Sequence, residues 1–533
     1  MNKKKKKAPH DFLSEELLVP GVNMCDTMRI NMFDNHLLQS VVLKETDSPK
    51  VFTNFENQVG SISSAIKVAK SDLRIVAKFS INKFKTVYIL ADDDKKTLDV
   101  FISKEAFWLT EHYGWKNINY IDEFEVGEVF PKGEPLSANT SYDEEQNFGY
   151  GRNLNAVFLP YKNLTYEDAI IVSENAAKKL SSYNIHQIDV TVNTNDILLN
   201  LYGTGKYYKS FPEVGEEVNK KVLCARRRIS YNSALAELKN SALAKLNPHT
   251  DTAFYVNGKI VDIEIFSNQP IEELKKHKFF RQEYQIVKQQ LEYASDFIKV
   301  VDKIETSKKY QEYTLLDDLN YEYKKCMLAV DDEKKWVNEN KEFNYLVYRF
   351  TIMEESPLKV GNKITNRYGG KGVISKILPD EEMPVNQYGE RADIILNILG
   401  VINRTNIGQL IELEINFISR EIERYIEKHI DNREKIEKVL FAYLKIANSE
   451  QYKFIKEKYD NMQEPYKVDF WKEIVEDGIY IHHPPFYNNI NIDKLSKIYK
   501  IFDKIIKPYK FKGIKQRIIM GKMYYMRLTF SLL

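Results

Sequence analysis

Cysteine and long apolar runs are both scarce in this 533-residue chain. Cys25, Cys224 and Cys326 stand far apart and no C-x-x-C pair occurs, which excludes a sequence-local zinc knuckle and argues against a disulfide framework. A reducing, cytoplasmic compartment is therefore expected. The longest apolar stretch, residues 394–402, is interrupted by Asn397 and falls far short of the roughly 20 residues that a membrane-spanning helix needs. We expect no membrane span.

An excess of either charge is missing as well. The 78 Lys and Arg residues and 76 Asp and Glu residues give a formal net charge of +2, so net charge alone indicates no nucleic-acid partner. A hydrophobic content of 43% with 12% aromatic residues predicts several packed units and excludes a long disordered polyelectrolyte. Five lysines at positions 3–7 have no apolar segment behind them, which excludes a secretory signal and favours a solvated tail over a nucleic-acid-binding arm.

The chain alternates between strand-rich and helix-rich segments. Short β-type runs separated by Asp, Asn and Lys turns predict an antiparallel, strand-rich unit over residues 51–129. Residues 269–344 have charged, tyrosine-rich helical patterning with almost no Gly or Pro, which predicts a helical insertion. Apolar positions at helical spacing over residues 407–459 predict two or three amphipathic helices. The pattern indicates an α+β protein of several domains.

Glycines and cations alternate in one segment, residues 360–375. Closely spaced glycines let a backbone approach a ligand, while lysine supplies a point charge and arginine a fork for phosphate oxygens. The residues concerned are Lys363, Arg367, Gly369, Gly370, Lys371 and Gly372. This is a candidate phosphate-binding loop, yet it is neither a P-loop nor a dinucleotide fingerprint. On spacing alone, an ordinary basic surface turn is an equal alternative.

The same segment resembles a known loop. Residues 361–377 are similar to the lysine-bearing barrel loop in the β subunits of multi-subunit, DNA-dependent RNA polymerases, whose pattern is G-D-K-x-x-x-R-H-G-N-K-G-V-I-S. The similarity continues through residues 384–389, 392–401 and 403–410. The resemblance implies that Lys363 and Lys371 steady the RNA end and the nucleotide phosphates. It also implies that Arg404 holds the triphosphate and that Arg367 lies near RNA or nucleotide.

A second stretch carries the same resemblance. Residues 151–161 and 166–174 are similar to the family's N-x-x-V-A-F-M-P-W and F-E-D-S-I-L-V-S-E. In that family the Glu-Asp pair lies beside the incoming nucleotide and its second magnesium ion. The resemblance therefore assigns this role, directly or through water, to Glu167 and Asp168, and hard carboxylates suit hydrated magnesium. The alternative is a solvated acidic turn.

A third match lies near the start of the chain. Residues 26–42 are similar to the family's D-A-N-R-A-L-M-G-A-N-M-Q-R-Q-A-V-P, with Asp26, Arg29, Asn35 and Gln39 in register. The resemblance implies that Arg29 faces the nucleotide triphosphate. It places Asn35 and Gln39 near the RNA end or the template hybrid. The sequence departs from the family pattern at Asp34, His36, Leu37 and Leu38.

Together these matches, with a weaker one at residues 517–528, imply a fold and a domain order. The chain would be the carboxy-terminal part of a β subunit. Its α+β, multi-domain fold would contain a double-psi β-barrel, interrupted by a flap-like helical insertion and flanked by strand-rich and helical units. The implied segments are 1–50 near the fork and active centre, 51–150 strand-rich, 151–268 first part of the barrel and flap base, 269–344 flap-like insertion, 345–410 second part of the barrel with the lysine loop, and 411–533 helical and carboxy-terminal.

Two parts of the family sequence are not found. The amino-terminal half has no room before Met1, and the clamp segment that follows the last family strand is absent. A β subunit divided among separate genes is a habit of large bacteriophages. The composition, rich in Lys, Asn and Tyr, fits an AT-rich genome. We therefore expect a split-subunit polymerase of a large bacteriophage, in the cytoplasm of an infected bacterial host.

No segment resembles N-A-D-F-D-G-D, the aspartate loop of the partner large subunit that holds the catalytic Mg²⁺ in this family. Asp92, Asp93 and Asp94 are consecutive, which predicts a surface turn instead. Phosphoryl transfer depends on positioning and on charge stabilisation around such metals, so this chain alone is expected to be inactive. The implied partners are a β N-terminal-like chain, β′-like chains carrying the aspartate loop, a promoter-specificity factor, DNA template, RNA product and NTPs.

The sequence leaves other functions open. A non-catalytic nucleic-acid scaffold could keep the barrel, although retention of Lys363 and Lys371 beside the acidic pair argues against it. A lysine-adenylating ligase would need a K-x-D-G motif for its nucleophile, and none is present. The favoured function is that of a β-like subunit contributing nucleotide- and RNA-binding residues to a transcribing polymerase.

Overall fold

The structure is a computed structural model. It describes residues 15–529 except 63, 64, 111, 112, 144, 163, 204–206, 229–245, 247–250, 277, 278, 332–334, 339, 340, 344, 405 and 488. The lysine run at positions 3–7 lies outside these residues. The described part is a mixed α+β structure, in agreement with the class predicted from the sequence.

Strands make up most of the regular structure in the first 270 residues and recur towards the end of the chain. They are β1 Val51–Phe52, β2 Ile66–Val68, β3 Leu73–Asn82, β4 Lys85–Asp92, β5 Thr97–Lys104, β6 Ala106–Thr110, β7 Tyr113–Ile118, β8 Val129–Phe130, β9 Pro135–Asn139, β10 Arg152–Phe158, β11 Ala169–Ser173, β12 Ser182–Val192, β13 Asp196–Leu198, β14 Val222–Arg228, β15 Asp251–Tyr255, β16 Lys259–Ser267, β17 Thr314–Leu315, β18 Val337–Asn338, β19 Lys341–Glu342, β20 Leu346–Ser356, β21 Lys363–Asn366, β22 Gly372–Leu378, β23 Ile394–Leu396, β24 Ile481–His482, β25 Tyr509–Lys510, β26 Arg517–Ile518 and β27 Gly521–Arg527.

Helices are concentrated in two regions, the middle of the chain and the segment after β23. They are α1 Thr27–Leu38, α2 Glu56–Ile62, α3 Glu174–Lys179, α4 Ile271–Lys276, α5 Arg281–Thr306, α6 Asp317–Val330, α7 Ile398–Ile402, α8 Ile407–Lys428, α9 Arg433–Ala447, α10 Ser449–Asn461, α11 Glu464–Glu476 and α12 Ile492–Ile501.

The chain forms two compact units, each assembled from separate stretches. The first comprises Met1–Ala65, Thr140–Ser182 and Pro357–Leu533, and the second comprises Ile66–Asn139 and Tyr183–Ser356. Both units are therefore built by parts of the chain that are distant in sequence.

A closed barrel of six strands forms the centre of the first unit, in the order β10-β23-β11-β22-β21-β27. β10 pairs in parallel with β23 and antiparallel with β27, while β11 pairs in parallel with β22. Closure leaves no free sheet edge. The barrel strands bury apolar side chains in one shared core, including Leu154, Ala156, Ile170, Val172, Ile364, Ile374, Ile394 and Met523.

The helices of the first unit form a second apolar core. The longest of them, α8, buries Ile411, Ile415, Ile418, Ile422 and Ile426, which recur every three or four residues and so lie on one helical face. The same core receives apolar side chains from α9, α10, α11 and α12. Three helices, α8, α9 and α10, occupy residues 407–459, as the amphipathic pattern predicts.

In the second unit, antiparallel strands and helices share a core. β3, β4 and β5 pair in sequence order within a five-stranded sheet. Helix α5 buries Phe297, Val301 and Ile304 in one cluster with strand residues such as Val87 and Ile89. The central helical segment is thus packed into the strand-rich unit and completes its core.

The three consecutive aspartates lie at the turn between β4 and β5. The Asp92 carboxylate is buried and accepts hydrogen bonds from Ser71 and Lys95, whereas Asp93 forms an ion pair with Arg74. The turn predicted from the sequence is present, but the first of its carboxylates is buried. None of the helices in the described ranges combines the length and the apolar character that crossing a membrane requires.

Candidate functional site

One pocket in the first unit brings together five charged residues that the sequence singled out. Its lining includes the predicted residues Arg29, Glu167, Asp168, Lys371 and Arg404. They come from α1, the turn before β11, the β21–β22 loop and the connection between α7 and α8. The pocket therefore collects basic and acidic side chains from four separate parts of the chain.

A bidentate ion pair joins two of these side chains. Arg404 Nη1 lies 2.5 Å from Asp168 Oδ1, and Nη2 donates to Oδ2 at 2.7 Å. The hydrogen bond to Asp168 raises the pKa of Arg404, so the guanidinium stays charged. Both side chains are partly exposed, 32% and 41%, which leaves them accessible to a ligand.

The acidic turn has an unusual backbone. Glu167 adopts φ of +51°, a left-handed conformation that few residues other than Gly, Asn and Asp adopt readily. Asn397 donates to the Glu167 carbonyl at 3.2 Å, and the Asp168 carbonyl accepts from Val373 N at 3.0 Å. These bonds tie the turn to both neighbouring segments of the pocket. The Glu167 side chain is exposed.

The glycine-rich loop joins β21 and β22 and makes two close approaches. A Cβ on Gly369, whose φ is +68°, would lie 2.4 Å from the Arg29 carbonyl oxygen. A Cβ on Gly372 would lie 2.5 Å from the Asp168 carbonyl oxygen. Because real Cβ atoms do not come so close to oxygen, only glycine lets the loop contact α1 and the acidic turn together. This contact brings Lys371 into the pocket.

Arg29 projects from the first turn of α1. This helix is capped by Asp26, whose side chain accepts from Met28 N at 3.0 Å. Arg29 Nη1 lies 3.1 Å from Met32 Sδ. Burial and the nearby positive charge of Arg404 lower the pKa of Arg29, while Asp168 opposes this effect. The guanidinium groups of Arg29 and Arg404 thus both lie near the Asp168 carboxylate, and the pocket is rich in positive charge.

His36 also lies near the positive charges of the pocket. It is buried, and its Nδ1 lies 3.0 Å from Thr365 Oγ1. Burial first, and then the charges of Lys371 and Arg29, lower the pKa of His36 to about 4. His36 is therefore neutral at physiological pH and joins α1 to β21. In the sequence, His36 is distinguished only as a departure from the family pattern.

Four other predicted site residues do not line the pocket. Lys363 begins β21 and is paired with Val373 of β22. Asn35 and Gln39 are exposed on and after α1, where Asn35 Nδ2 donates to the Asn31 carbonyl at 2.9 Å. The fourth residue, Arg367, lies inside the protein.

Arg367 is fully buried. Its Nη2 lies 2.9 Å from Glu412 Oε2, and the exposed fractions of the two side chains are 0% and 2%. The guanidinium also lies over the Tyr524 ring, 5.4 Å from its centroid. Glu412 Oε1 accepts from Tyr524 N at 2.9 Å. Arg367 thus links the loop to α8 and β27 from within and does not reach the pocket surface.

Polar residues that no sequence pattern distinguishes complete the pocket. They are Asn366, Asn397, Asn406 and Gln409. All belong to stretches that match the family, but amides carry no charge or spacing signature that distinguishes them from ordinary loop residues. Only their position identifies them.

The pocket itself is small, with a volume of about 50 Å³. Pockets that enclose a ligand the size of a nucleotide usually have about 300 to 1,000 Å³, so this surface can form only one wall of such a site. A larger cleft of about 1,290 Å³ lies elsewhere in the same unit and contains none of the predicted site residues. The predicted site residues and this larger cleft are therefore separate.

Two carboxylates could contribute to a magnesium site here. Glu167 and Asp168 provide the oxygen ligands that Mg²⁺ prefers, or acceptors for its bound water. In the ranges that the structure describes, no group of three or more acidic, His or Cys side chains is arranged to hold a metal ion. Two carboxylates are fewer ligands than a magnesium ion needs, so these residues fit only part of such a site.

Similarity to known proteins agrees with this geometry. The family described as RNA polymerase Rpb2, domain 6, matches residues 113–530. A DNA-directed RNA polymerase subunit beta from Thermosipho melanesiensis is 25% identical over 427 residues, which cover 78% of this chain and 32% of that relative. The chain thus spans about a third of the length of this curated relative. The family match includes Glu167, Asp168 and the glycine-rich loop, whereas α1 precedes it.

Proposed function

The chain belongs to the family of RNA polymerase Rpb2, domain 6, and from this premise we propose that it acts as a β-like subunit of a multi-subunit, DNA-dependent RNA polymerase. It would contribute residues that bind the nucleotide and the RNA end. The observation that carries the proposal is the convergence of Lys371, Arg404 and Arg29 with an acidic pair in one pocket. A triphosphate needs such cations, and a nucleotide-bound metal needs such carboxylates.

The cations have distinct roles in the proposal. Arg404 and Arg29 hold the triphosphate, since a guanidinium matches phosphate oxygens with two parallel hydrogen bonds. Lys371 supplies a compact positive charge from the glycine-rich loop. Lys363, which lies on β21 outside the pocket lining, steadies the RNA end. Because charge is preorganised here before the substrate arrives, it stabilises the transition state without further reorganisation.

Other predicted residues act at the margin of the site. Asn35 and Gln39 are exposed near the end of α1, which supports a role for both at the RNA end or the template hybrid. Arg367 is enclosed by protein, so its proposed role is to support the loop from behind. In the same proposal, the six-stranded barrel has double-psi topology and the segment 269–344 is flap-like.

Magnesium belongs to the proposal as a shared ion. When bound, it neutralises the triphosphate and stabilises the charge that develops during nucleotidyl transfer. Glu167 and Asp168 would hold the second ion, directly or through water. The catalytic ion would be held mainly by the aspartate loop of a β′-like partner, and the two-carboxylate set in this pocket supports that division.

The remaining parts of the proposal concern partners and setting. The partners are a β N-terminal-like chain, β′-like chains with the aspartate loop and a promoter-specificity factor, together with DNA, RNA and NTPs. The setting is a split-subunit polymerase of a large bacteriophage in the cytoplasm of an infected bacterium. The small volume of the pocket supports the need for other chains, because one wall alone cannot enclose a nucleotide.

Reconstitution tests this function. The purified chain is assembled with a β N-terminal-like chain and β′-like chains carrying the aspartate loop, and extension of a primed RNA–DNA scaffold is measured. We expect template-dependent extension from the assembly and none from the chain alone. Robust synthesis by the isolated chain would contradict the proposal. Binding of nucleic acid by an assembly that never extends RNA would instead favour the non-catalytic scaffold.

A further inference from the structure

Asn366, the last residue of β21, organises the backbone that precedes Lys371. Its side chain is 1% exposed. Oδ1 accepts from Tyr368 N at 3.0 Å and from Gly370 N at 2.9 Å, while Nδ2 donates to Gln409 Oε1 at 2.8 Å. Both polar atoms of this amide therefore form hydrogen bonds, Oδ1 with the loop and Nδ2 with α8. Buried amides bonded in this way restrict the backbone strongly.

The space around Gly370 is filled by the same amide. A Cβ on Gly370 would lie 2.7 Å from Asn366 Nδ2 and 2.9 Å from Oδ1. With the Asn366 amide in this position, a side chain at position 370 would have to displace it. On the other side of the turn, Asn406 donates to the Tyr368 carbonyl. The turn is held between two asparagine side chains.

We propose that Asn366 is a positioning residue for nucleotide addition, which fixes the 368–371 turn so that Lys371 stands in the pocket with Asp168 and Arg404. The inference rests on the proposed function of that pocket. Asn366 acts through the loop: its amide accepts from Tyr368 N and Gly370 N and donates to Gln409, all within the protein. Displacement of a charged group by about 1 Å is enough to cost about 100-fold in rate.

A second loop of the chain provides a matched control. Asn386 is also buried, and its Oδ1 accepts from Tyr388 N and from Glu390 N, both at 3.0 Å. The spacing of the accepted N–H groups, two and four residues ahead, is the same as at Asn366. Asn386 does not line the pocket. The two asparagines therefore share a local structural role, and only one of them is adjacent to Lys371.

The first measurement is local and needs only the purified full chain. Hydrogen–deuterium exchange is followed in peptides covering residues 366–371 and 386–390. Asn366→Ala should speed exchange in the first peptide, because the Tyr368 and Gly370 amides lose their acceptor, and Asn386→Ala should speed it in the second. Asn366→Asp keeps an acceptor and should retain most of the protection. Unchanged exchange in Asn366→Ala would overturn the inference, whether or not the proposed function of the pocket holds.

The second measurement is single-nucleotide extension by the assembled enzyme at varied NTP concentration. Asn366→Ala should lower the rate by about 10- to 100-fold, Asn366→Asp should restore part of it, and Asn386→Ala should stay within about twofold of the wild type. In a double variant with Lys371→Ala, Asn366→Ala should lower the rate little further, because both changes act through the Lys371 side chain. Additive losses would overturn the inference.

The outcomes separate the inference from the proposed function. A normal rate for Asn366→Ala together with a slow Lys371→Ala enzyme would reject the positioning role and leave the pocket's function intact. A normal rate for Lys371→Ala would reject the proposed function of the pocket, and the inference with it. Equal slowing by Asn366→Ala and Asn386→Ala would show a general packing effect and would also reject the positioning role.

Discussion

Arg404 and Asp168 are 236 positions apart in the chain and form a two-point ion pair in the pocket, with Nη2 and Oδ2 separated by 2.7 Å. Each side chain is about a third or more exposed, so water screens the pair and its contribution to folding stability is small. Under the proposed function, the guanidinium of Arg404 would exchange this carboxylate for the triphosphate, and Asp168 would exchange the guanidinium for the nucleotide-bound metal.

The first prediction follows from that exposure. Arg404→Ala should leave the melting temperature within about 2 °C, because an exposed pair is worth at most about 1 kcal/mol. It should raise the KM for NTP and lower kcat/KM by about 10- to 1,000-fold, since a charged contact to the phosphates is lost. Steady-state extension by the assembled enzyme measures both constants. An unchanged KM would show that Arg404 does not contact the nucleotide.

Lys371 and Lys363 give the second prediction. Alanine at either position should leave assembly and melting nearly unchanged and slow nucleotide addition by about 10- to 1,000-fold, the range expected for one preorganised electrostatic contact. Lys371→Arg should rescue only partly, because its planar fork needs more room. Lys376, an exposed lysine of β22, is the control, and Lys376→Ala should retain the wild-type rate. Wild-type rates for the Lys371 and Lys363 variants would indicate an ordinary basic turn.

The third prediction compares two glycines of the same region. Gly369 and Gly361 both have positive φ, +68° and +89°, so alanine strains the backbone at both. Only at Gly369 would the new Cβ meet another segment, the Arg29 carbonyl at 2.4 Å, whereas nothing lies within 4 Å at Gly361. Gly369→Ala should therefore destabilise more, by about 1 to 3 kcal/mol beyond Gly361→Ala, and should slow extension. Urea unfolding and scaffold extension test this, and equal effects would contradict the proposed contact.

The fourth prediction concerns pH and lies in the second unit. Glu283 of α5 is buried, and its Oε1 accepts from the Tyr348 hydroxyl at 3.1 Å. Burial raises the pKa of this carboxyl from 4.5 to about 7. The folded state then binds a proton that the unfolded state has released, so stability falls as pH rises from about 4.5 to about 7. At about 1.4 kcal/mol for each pKa unit, the loss is roughly 3 kcal/mol.

Glu283→Gln should remove this dependence, because the amide keeps the shape of the protonated acid without a charge. Urea unfolding at pH 5 and pH 8 should show a stability gain for the variant that is larger at pH 8. Glu292→Gln, at an exposed position of the same helix, is the matched control and should behave as the wild type. A variant that gains equally at both pH values would show that Glu283 does not titrate in this range.

Local patterns predicted much of the secondary structure. The β-type runs within residues 51–129 include β3, β4 and β5, and the helical spacing after residue 407 corresponds to α8, α9 and α10. Strand alternation and helix periodicity depend on neighbours within a few residues, so a single sequence carries them. The glycine-rich loop was also identifiable, because small residues and cations in one short segment restrict what that segment can do.

The sequence could not distinguish which of its charged residues face the pocket. Arg367 and Lys371 are four positions apart and both carry positive charge, yet one pairs with Glu412 inside the protein and the other lines the pocket. The difference depends on where α8 packs, and α8 is a separate element. Asn366 was missed for the same reason, since its role depends on Gln409 and on the path of the loop.

The sequence by itself therefore determined the kinds of elements, the chemistry of the loop and the family that the chain resembles, because these are properties of short contiguous segments. Only the tertiary structure decided which side chains meet. Barrel closure pairs β10 with β27 and β11 with β22. It thereby brings the acidic turn beside the glycine-rich loop. Such contacts join residues hundreds of positions apart, and their geometry is set by the packing of the whole core, which no local pattern encodes.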